Sequence, residues 1–505
     1  MSSQNMNIRL KIKKAEKLLK NQQIMEARHL YEQLAIIDSQ NPNYWMILAM
    51  IDKSLGQRVD QIIELQKVVA LIPNHGVAWN ELGIAQYFNA DFQAAIGSFQ
   101  KALPYAAEVE VLHLSMGSCY LELSNLTSAL EETEKALRLN PVLSVAAHIQ
   151  YCVTLEKLGR YQEMLVAAER ALIHFPLDPD IQISKVRAFA NLNDMEQALK
   201  ECFTFLHSTA DNTNLRPLLL KLCEEVPSPY APDPVYEDII HTVYSWQDIS
   251  FQSITRFSGR YYVNFTQFMR QLEALFQEPD DSQKDFSSAA TLVKQTRGFF
   301  ADFLSKGVNV NGEIEKTLYP LRNRMLVALE GRVDQGESLP EDLAEFISSI
   351  ACQCFQNEYV WYEQPDESAR IEHIVRTLNE SLTTNDEGWP LHVIYRLLMI
   401  SLYRPLLQVL TPEATARIAG KKNWGVLTPL IQMQFVEPLR ERQLRASISV
   451  LGSIEDKVSR LVQEQYEENP YPRWSSMART GFNGFVNQLK TLFEGHVIPN
   501  YLESQ

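Results

Sequence analysis

The stretch from Phe346 to Tyr362 holds the strongest candidate for acid chemistry, because Glu358 stands near Cys352, Cys354 and Asn357 among bulky apolar residues. A carboxyl carried on a largely apolar helix loses the solvation of its charged form, and its pKa rises toward neutrality. No partner base lies nearby, and a glutamate that faces solvent or caps a neighbouring backbone group explains the pattern more simply. The ten histidines are scattered singly, five of them (His29, His75, His113, His148, His174) within the first 174 residues. None has HExxH or Cys/His zinc spacing, so metal chemistry is not expected. Arg440, Arg442 and Arg445 surround Glu441 and could hold a phosphate, but a solvated face of mixed charge is the reading adopted. Six cysteines (Cys119, Cys152, Cys202, Cys223, Cys352, Cys354) occur without a CxxC pair. That is the usage of reduced thiols buried as small hydrophobes, and it points to a cytoplasmic protein. No catalytic residue, metal or cofactor is assigned to this chain.

The elements that must position any site are bounded by bulk properties. A chain of 505 residues exceeds one core, and 46% apolar with 22% charged residues is an ordinary globular balance. The net charge of −15 argues against a surface that tracks nucleic-acid phosphates. The one basic run, Arg9, Lys11, Lys13, Lys14, Lys17 and Lys20, is not followed by an apolar stretch and is no secretory signal. The most hydrophobic later window, Trp389 to Leu410, is interrupted by Arg396 and Arg404, so no membrane span is expected.

Self-comparison gives the dominant signal, a recurrence every 34 residues with one step of 35. One column reads Ala27, Gln61, Ala95, Ala129, Met164, Ala198; the next Tyr31, Leu65, Phe99, Thr133, Ala168, Cys202; the third Leu34, Val68, Ala102, Ala136, Ala171, Phe205. Upstream in the unit, Trp45 and Trp79, then Leu48, Leu82 and Met116, then Ala49, Gly83 and Gly117 mark a first helix. Small residues where two helices cross let them approach closely, so each unit is one helical hairpin. Pro73, Pro141 and Pro176 share a phase that stops the second helix. The pattern resembles the tetratricopeptide (TPR) family, most closely in Ala78-Trp79-Asn80-Glu81-Leu82-Gly83 through Ala95, Phe99 and Ala102. Units are expected from about residues 8, 42, 76, 110, 145 and 179. The fold class that follows is all-α, a right-handed TPR solenoid followed by a mostly helical second domain.

In TPR proteins the first helices line a concave face. The resemblance carries that role to Val77, Asn80, Ile84, Tyr87 and Phe88, then to Val111, Leu114, Ser118, Leu121 and Glu122, and then to Ala146, Ile149, Val153, Glu156 and Lys157. Such a groove is apolar and aromatic. Ile84 and Ser118 stand where a carboxylate clamp needs Asn, so a chaperone-tail clamp is not expected. The face either takes a protein or peptide or is covered by the chain's own later helices; the sequence supports both equally.

The period ends after residue 212, and Val226 to Pro234, with four prolines, reads as a stiff linker. The expected layout is a solenoid over 1–212, a linker over 213–235, a helical domain over 236–452, and over 453–505 a helix from Ser453 with an extended connector. That connector, Tyr466, Glu467, Glu468, Asn469, Pro470, Tyr471, Pro472, Arg473 and Trp474, is held extended by its prolines. Together with Cys354-Phe355, Asn357-Glu358-Tyr359-Val360, Gln434, Glu437-Pro438 and Leu444-Arg445, it resembles bacterial proteins in which TPR repeats and a helical middle region precede a class I S-adenosylmethionine-dependent methyltransferase domain. In that family a Rossmann-like domain follows the aromatic and proline segment. Here 31 residues follow Trp474, and Gly481 and Gly484 do not form a GxGxG turn, so the resemblance implies a methyltransferase partner on another chain or beyond residue 505. Two functions are therefore carried forward: a non-catalytic TPR scaffold for a protein or peptide, and the substrate-recruiting part of a methyltransferase. An autonomous enzyme would need an acid, base and nucleophile set that these residues do not supply.

Overall fold

The computed structural model describes residues 3–208, 215–226, 233–247, 249–265, 267–274, 282–296, 298–336, 338–383 and 389–445. Among them there are helices and turns and no strand. The chain divides into two compact units, Met1–Leu215 and Arg216–Gln505.

The first unit is a TPR solenoid of six helical hairpins. They pair α1 (Ser3–Lys20) with α2 (Ile24–Ile37), α3 (Pro42–Leu55) with α4 (Arg58–Leu71), and α5 (Gly76–Phe88) with α6 (Phe92–Ala102). The next three pair α7 (Val109–Glu122) with α8 (Leu126–Leu139), α9 (Val145–Lys157) with α10 (Tyr161–His174), and α11 (Pro179–Asn191) with α12 (Met195–Ser208). All residues of the three 34-residue columns are buried, the most accessible being Phe205 at 6%. Each core cluster joins one hairpin to the first helix of the next, as Ala49, Leu65, Val68, Ala78 and Leu82 do, so the core grows by nearest neighbours.

Three devices repeat with the period. Trp45 and Trp79 donate their indole N–H to the carbonyls of Ser39 and Pro73 at 3.0 and 2.9 Å, while Lys67 and Lys101 sit over their rings. Pro73, Pro141 and Pro176 each lie just past the end of a second helix. The turn within every hairpin carries one left-handed residue, successively Gln22, Gly56, Ala90, Ser124, Gly159 and Asn193. Only two of these are glycine, and the others hold a backbone that costs L-residues about 1–2 kcal/mol each.

Polar groups are also buried between hairpins. Asp52, fully buried, accepts from Arg28 Nε and Nη2 at 2.5 and 2.9 Å. Glu64, 6% exposed, interacts with the same Asp52 through its side chain, and its Oε2 is buried without a hydrogen-bond partner. Burial, then the charge of Asp52, raises its pKa to about 8, against the pull of Arg28.

The second unit runs through α13 (Leu215–Glu225), α14 (Pro234–Ser245), α15 (Gln252–Phe265), α16 (Phe268–Ala274), α17 (Ser282–Gln295), α18 (Phe299–Lys306) and α19 (Gly312–Gln335). It continues with α20 (Glu341–Gln356), α21 (Pro365–Thr383), α22 (Leu391–Ser401), α23 (Leu406–Val409), α24 (Pro412–Gly420), α25 (Thr428–Ile431) and α26 (Glu437–Arg445), with a π-helical turn over Gln432–Val436. α20 is its axis: from Leu343 to Phe355 all side chains but Glu345 are buried, and α17, α18, α19, α22 and α25 pack on it. α22 explains the hydrophobic window around residue 400, being an 11-residue core helix packed on α19, α20 and α21. No helix among the described residues is long and apolar enough to cross a membrane.

One stretch differs from the sequence expectation. Residues 215–225, placed in the linker, form α13, because Leu215, Leu219, Leu222 and Cys223 give a helical apolar stripe and are all buried. Loss of the 34-residue period had hidden it beside the prolines. Residues 227–232 lie outside the described residues, as do the helix expected from Ser453 and the connector from Tyr466 to Trp474.

Two glycine substitutions separate backbone from packing. Gly56 has φ +72° and open space around it, so Gly56→Ala should cost about 1 kcal/mol by backbone strain alone. Gly83 is helical, but a Cβ there would lie 2.6 Å from the Phe99 ring. Gly83→Ala should therefore destabilise by about 1–3 kcal/mol despite alanine's higher helix propensity, as read by denaturant melts. A second expectation concerns Glu64. Its folded pKa exceeds its ordinary value of 4.5, so its contribution is complete below that pH and is lost as pH rises through about 8. The melting temperature should fall from pH 5 to pH 8, and Glu64→Gln should flatten that slope.

Candidate functional site

The first helices of successive hairpins meet, α5 with α7, α7 with α9 and α9 with α11, so residues at one phase of the repeat form a continuous face. Of the groove residues expected from the sequence, Asn80, Ile84, Tyr87, Leu114, Ser118, Leu121, Ile149 and Val153 are half-buried on that face. Val77 and Glu122 are exposed at its ends. Phe88 is placed differently. As the last residue of α5, it lies beside the hairpin turns, 64% exposed, with its ring 5.2 Å from the guanidinium of Arg58, the first residue of α4. It borders the face instead of flooring it.

The polar members of this face are largely engaged in holding repeats in register. Ser118 Oγ donates to Gln150 Oε1 at 2.6 Å, while Gln150 Nε2 donates to Thr133 Oγ1 at 2.8 Å and to the Leu114 carbonyl at 3.2 Å. Gly117 leaves room for that amide, because a Cβ would come within 2.6 Å of Gln150 Nε2. Lys53 pairs with Glu81 at 2.6 Å across α3 and α5, and Glu156 takes Asn191 at 3.3 Å and Arg187 at 3.8 Å across α9 and α11. Tyr87 stacks edge-on against Phe92 at 5.5 Å, and burial followed by the nearby Glu122 raises its pKa. What the face offers a ligand is apolar area, with salt bridges on its margins.

The sequence reading missed the N-terminal continuation of this face. Met46 and Met50 line a pocket of about 350 Å³ with Leu19, Ile24, Ile47 and Ile51. They occupy the same phase as Asn80 and Ile84 one period earlier, so the repeat itself carried the signal. Methionine's flexible, polarisable side chain suits a surface that adapts to apolar partners.

In the second unit, the residues singled out as chemical candidates have structural surroundings. Glu358 is exposed and lies past the end of α20, not on it; it and Tyr359 are both left-handed, at φ 59° and 56°. The tract they open is held from several sides. Tyr359 Oη donates to the Ser401 carbonyl at 3.2 Å, and Arg322 donates to the carbonyls of Trp361 and Tyr362 at 3.4 and 2.6 Å. Gln434, on the π-helical turn and fully buried, donates to the carbonyls of Ala351 and Ser401 at 3.0 and 3.1 Å. Tyr359 and Gln434 thus meet at the Ser401 carbonyl, between α20, α22 and the π-helical turn, while Glu358 and Val360 are exposed and the Asn357 side-chain amide has no hydrogen-bond partner. Arg440 and Arg442 are exposed on α26 with Glu441, a solvated face.

All six cysteines are buried free thiols. Burial pushes Cys119, Cys152, Cys202 and Cys352 up to about 12, which leaves negligible thiolate at neutral pH. Among the described residues no group of three His, Cys, Asp or Glu side chains could hold a metal ion.

No protein-family model and no curated protein matches this chain. Among solved structures it is similar to MamA, with 22% identity over 33% of this chain and 91% of that one and a TM-score of 0.32. YrrB, described as a TPR protein with an unusual peptide-binding site, gives 18% identity over 37% of this chain and 96% of that one, with a TM-score of 0.33. A tetratricopeptide repeat protein from Parabacteroides merdae gives 11% identity over 59% of this chain and 99% of its own length, with a TM-score of 0.35.

Proposed function

We propose that this chain is a non-catalytic TPR scaffold whose first unit binds an apolar segment of a protein or peptide along the face built by α3, α5, α7 and α9. The observation that carries this reading is the row Met46, Met50, Ile84, Leu114, Leu121, Ile149 and Val153, which is apolar while the charges beside it, Lys53 with Glu81 and Glu156 with Arg187, already have partners. A ligand there gains by burying apolar surface, and a free carboxylate would find no clamp. Six buried free thiols suit a reducing compartment, and on this reading the binder is cytoplasmic.

A selection from a random peptide library tests it. The enriched peptides should be apolar, and Leu121→Asp combined with Ile84→Asp should weaken their binding at least tenfold, as expected when central apolar contacts are lost. Ile173→Asp, at a site 76% exposed on the second helix α10, should leave binding and helicity unchanged. Enrichment of acidic C-terminal peptides, or equal binding by the double variant, would place the recognition surface elsewhere.

The alternative reading, a recruiting part of a methyltransferase, rests on the sequence resemblance alone. If this chain held a complete S-adenosylmethionine site, the cofactor at ~100-fold excess over Kd would stabilise it by about 2.7 kcal/mol. The scaffold reading expects no melting shift; a shift accompanied by label transfer would make the chain an enzyme.

A further inference from the structure

The second unit contains a partly open hollow that neither reading uses. It has a volume of about 190 Å³ and is lined by Tyr261, Tyr262, Phe268 and Phe299 with Glu237, and among the described residues that line it there is no Lys, Arg or His. The rings do not share a plane. Tyr261 meets Tyr262 at 67° and Tyr262 meets Phe268 at 51°, so aromatic surface walls the hollow from more than one direction. Tyr261 Oη donates to Glu237 Oε1 at 3.2 Å, which ties the carboxylate to the aromatic wall.

Aromatic faces carry negative charge density and attract cations, most strongly where water is excluded. Glu237 keeps its access to solvent, so a neutral apolar ligand gains nothing from its charge, whereas a cation meets rings and carboxylate together. The local field has the same sign. Burial first, then Glu237 and Asp233, raise the Tyr261 pKa, and Tyr262 is raised by burial with contributions from Glu237 and Asp302. The volume suits a compact head group, well below the ~300 Å³ at which drug-sized pockets begin.

We propose that this hollow binds a quaternary ammonium group, with Tyr261, Tyr262, Phe268 and Phe299 as its aromatic wall and Glu237 as its counter-charge. The group is supplied either by a small choline-like molecule or by a trimethylated lysine side chain, and the two have one chemistry at the site.

Isothermal titration of the full chain with choline, with Nα-acetyl-trimethyllysine amide and with 3,3-dimethylbutan-1-ol, the uncharged carbon analogue of choline, tests the assignment. At least one cation should bind about tenfold or more tightly than the neutral analogue, and the tighter of the two names the source. Glu237 is exposed, so Glu237→Gln should fold normally and weaken cation binding by about tenfold. Phe299→Leu should weaken it further, checked against its own circular dichroism. Equal affinity for the neutral analogue, no binding of either cation at millimolar concentration, or unchanged binding by folded Glu237→Gln would overturn the assignment. None of these outcomes depends on the solenoid face.

Discussion

The close approach of two antiparallel helices within each hairpin is the constraint on which the first unit depends. Only small residues permit it at the crossing, and each one must meet a partner large enough to fill the space it leaves. Gly83 against Phe99 and Gly117 against Thr133 are two such cases, and Ala95 and Ala102 are buried in the cluster that holds Phe99. Because the pairing is local, the sequence has to repeat it with the same spacing in every unit. The period therefore follows from packing, and the turns are forced to the same left-handed residue each time, even where that residue is Ala90 or Ser124.

Apolar packing of this kind sets distance but leaves sliding between hairpins weakly opposed. Polar bridges resist it. The Arg28 guanidinium on α2 holds Asp52 on α3, and Gln150 on α9 holds the Leu114 carbonyl and Thr133 from the preceding hairpin. A buried amide or carboxylate left without its partner costs about 1–3 kcal/mol or more, so such bridges penalise a wrong register more than they stabilise the right one. The same logic shapes the candidate groove. Ser118, Lys53 and Glu156 lie beside it yet serve neighbouring repeats, and this leaves the face apolar.

Local repetition made the solenoid readable, since Ala27 to Ala198 and Tyr31 to Cys202 needed only comparison of the chain with itself. The shared phase of the candidate face, from Val77 to Val153, was readable for the same reason, and Met46 and Met50 were missed although their phase matched Asn80 and Ile84. Phe88 was misplaced because phase alone does not show that Arg58 from the previous hairpin reaches its ring. The second unit offers no internal copy. Its aromatic hollow draws Glu237 from α14, Tyr261 and Tyr262 from α15, Phe268 from α16 and Phe299 from α18, and nothing in their spacing announces that they converge. α13 shows the converse, a local apolar stripe overlooked beside prolines.

The tract after α20 shows why a sequence signature can mark architecture before it marks chemistry. Two consecutive left-handed residues that are not glycine, Glu358 and Tyr359, cost of order 1–2 kcal/mol each and persist only where surrounding contacts impose them. Those contacts are present. The Tyr359 N–H returns to the Cys354 carbonyl at 2.8 Å, Arg322 draws in the next carbonyls, and Glu363 is gripped by Arg404 through two hydrogen bonds. Arg322 itself is 2% exposed, lies 4.2 Å from the Tyr403 ring and pairs with Glu367 at 3.7 Å. Removing one member of the Arg322, Glu367 and Tyr403 group would leave another buried group uncompensated, so these three residue types are fixed together by desolvation. Glu358 and Val360 are exposed and lie outside this packing, whereas Tyr359 and Gln434 need no shared substrate to be explained. They meet at Ser401, whose carbonyl accepts from both Tyr359 and Gln434, and what they specify is how α20 hands the chain on to α21 and receives α22 and the π-helical turn.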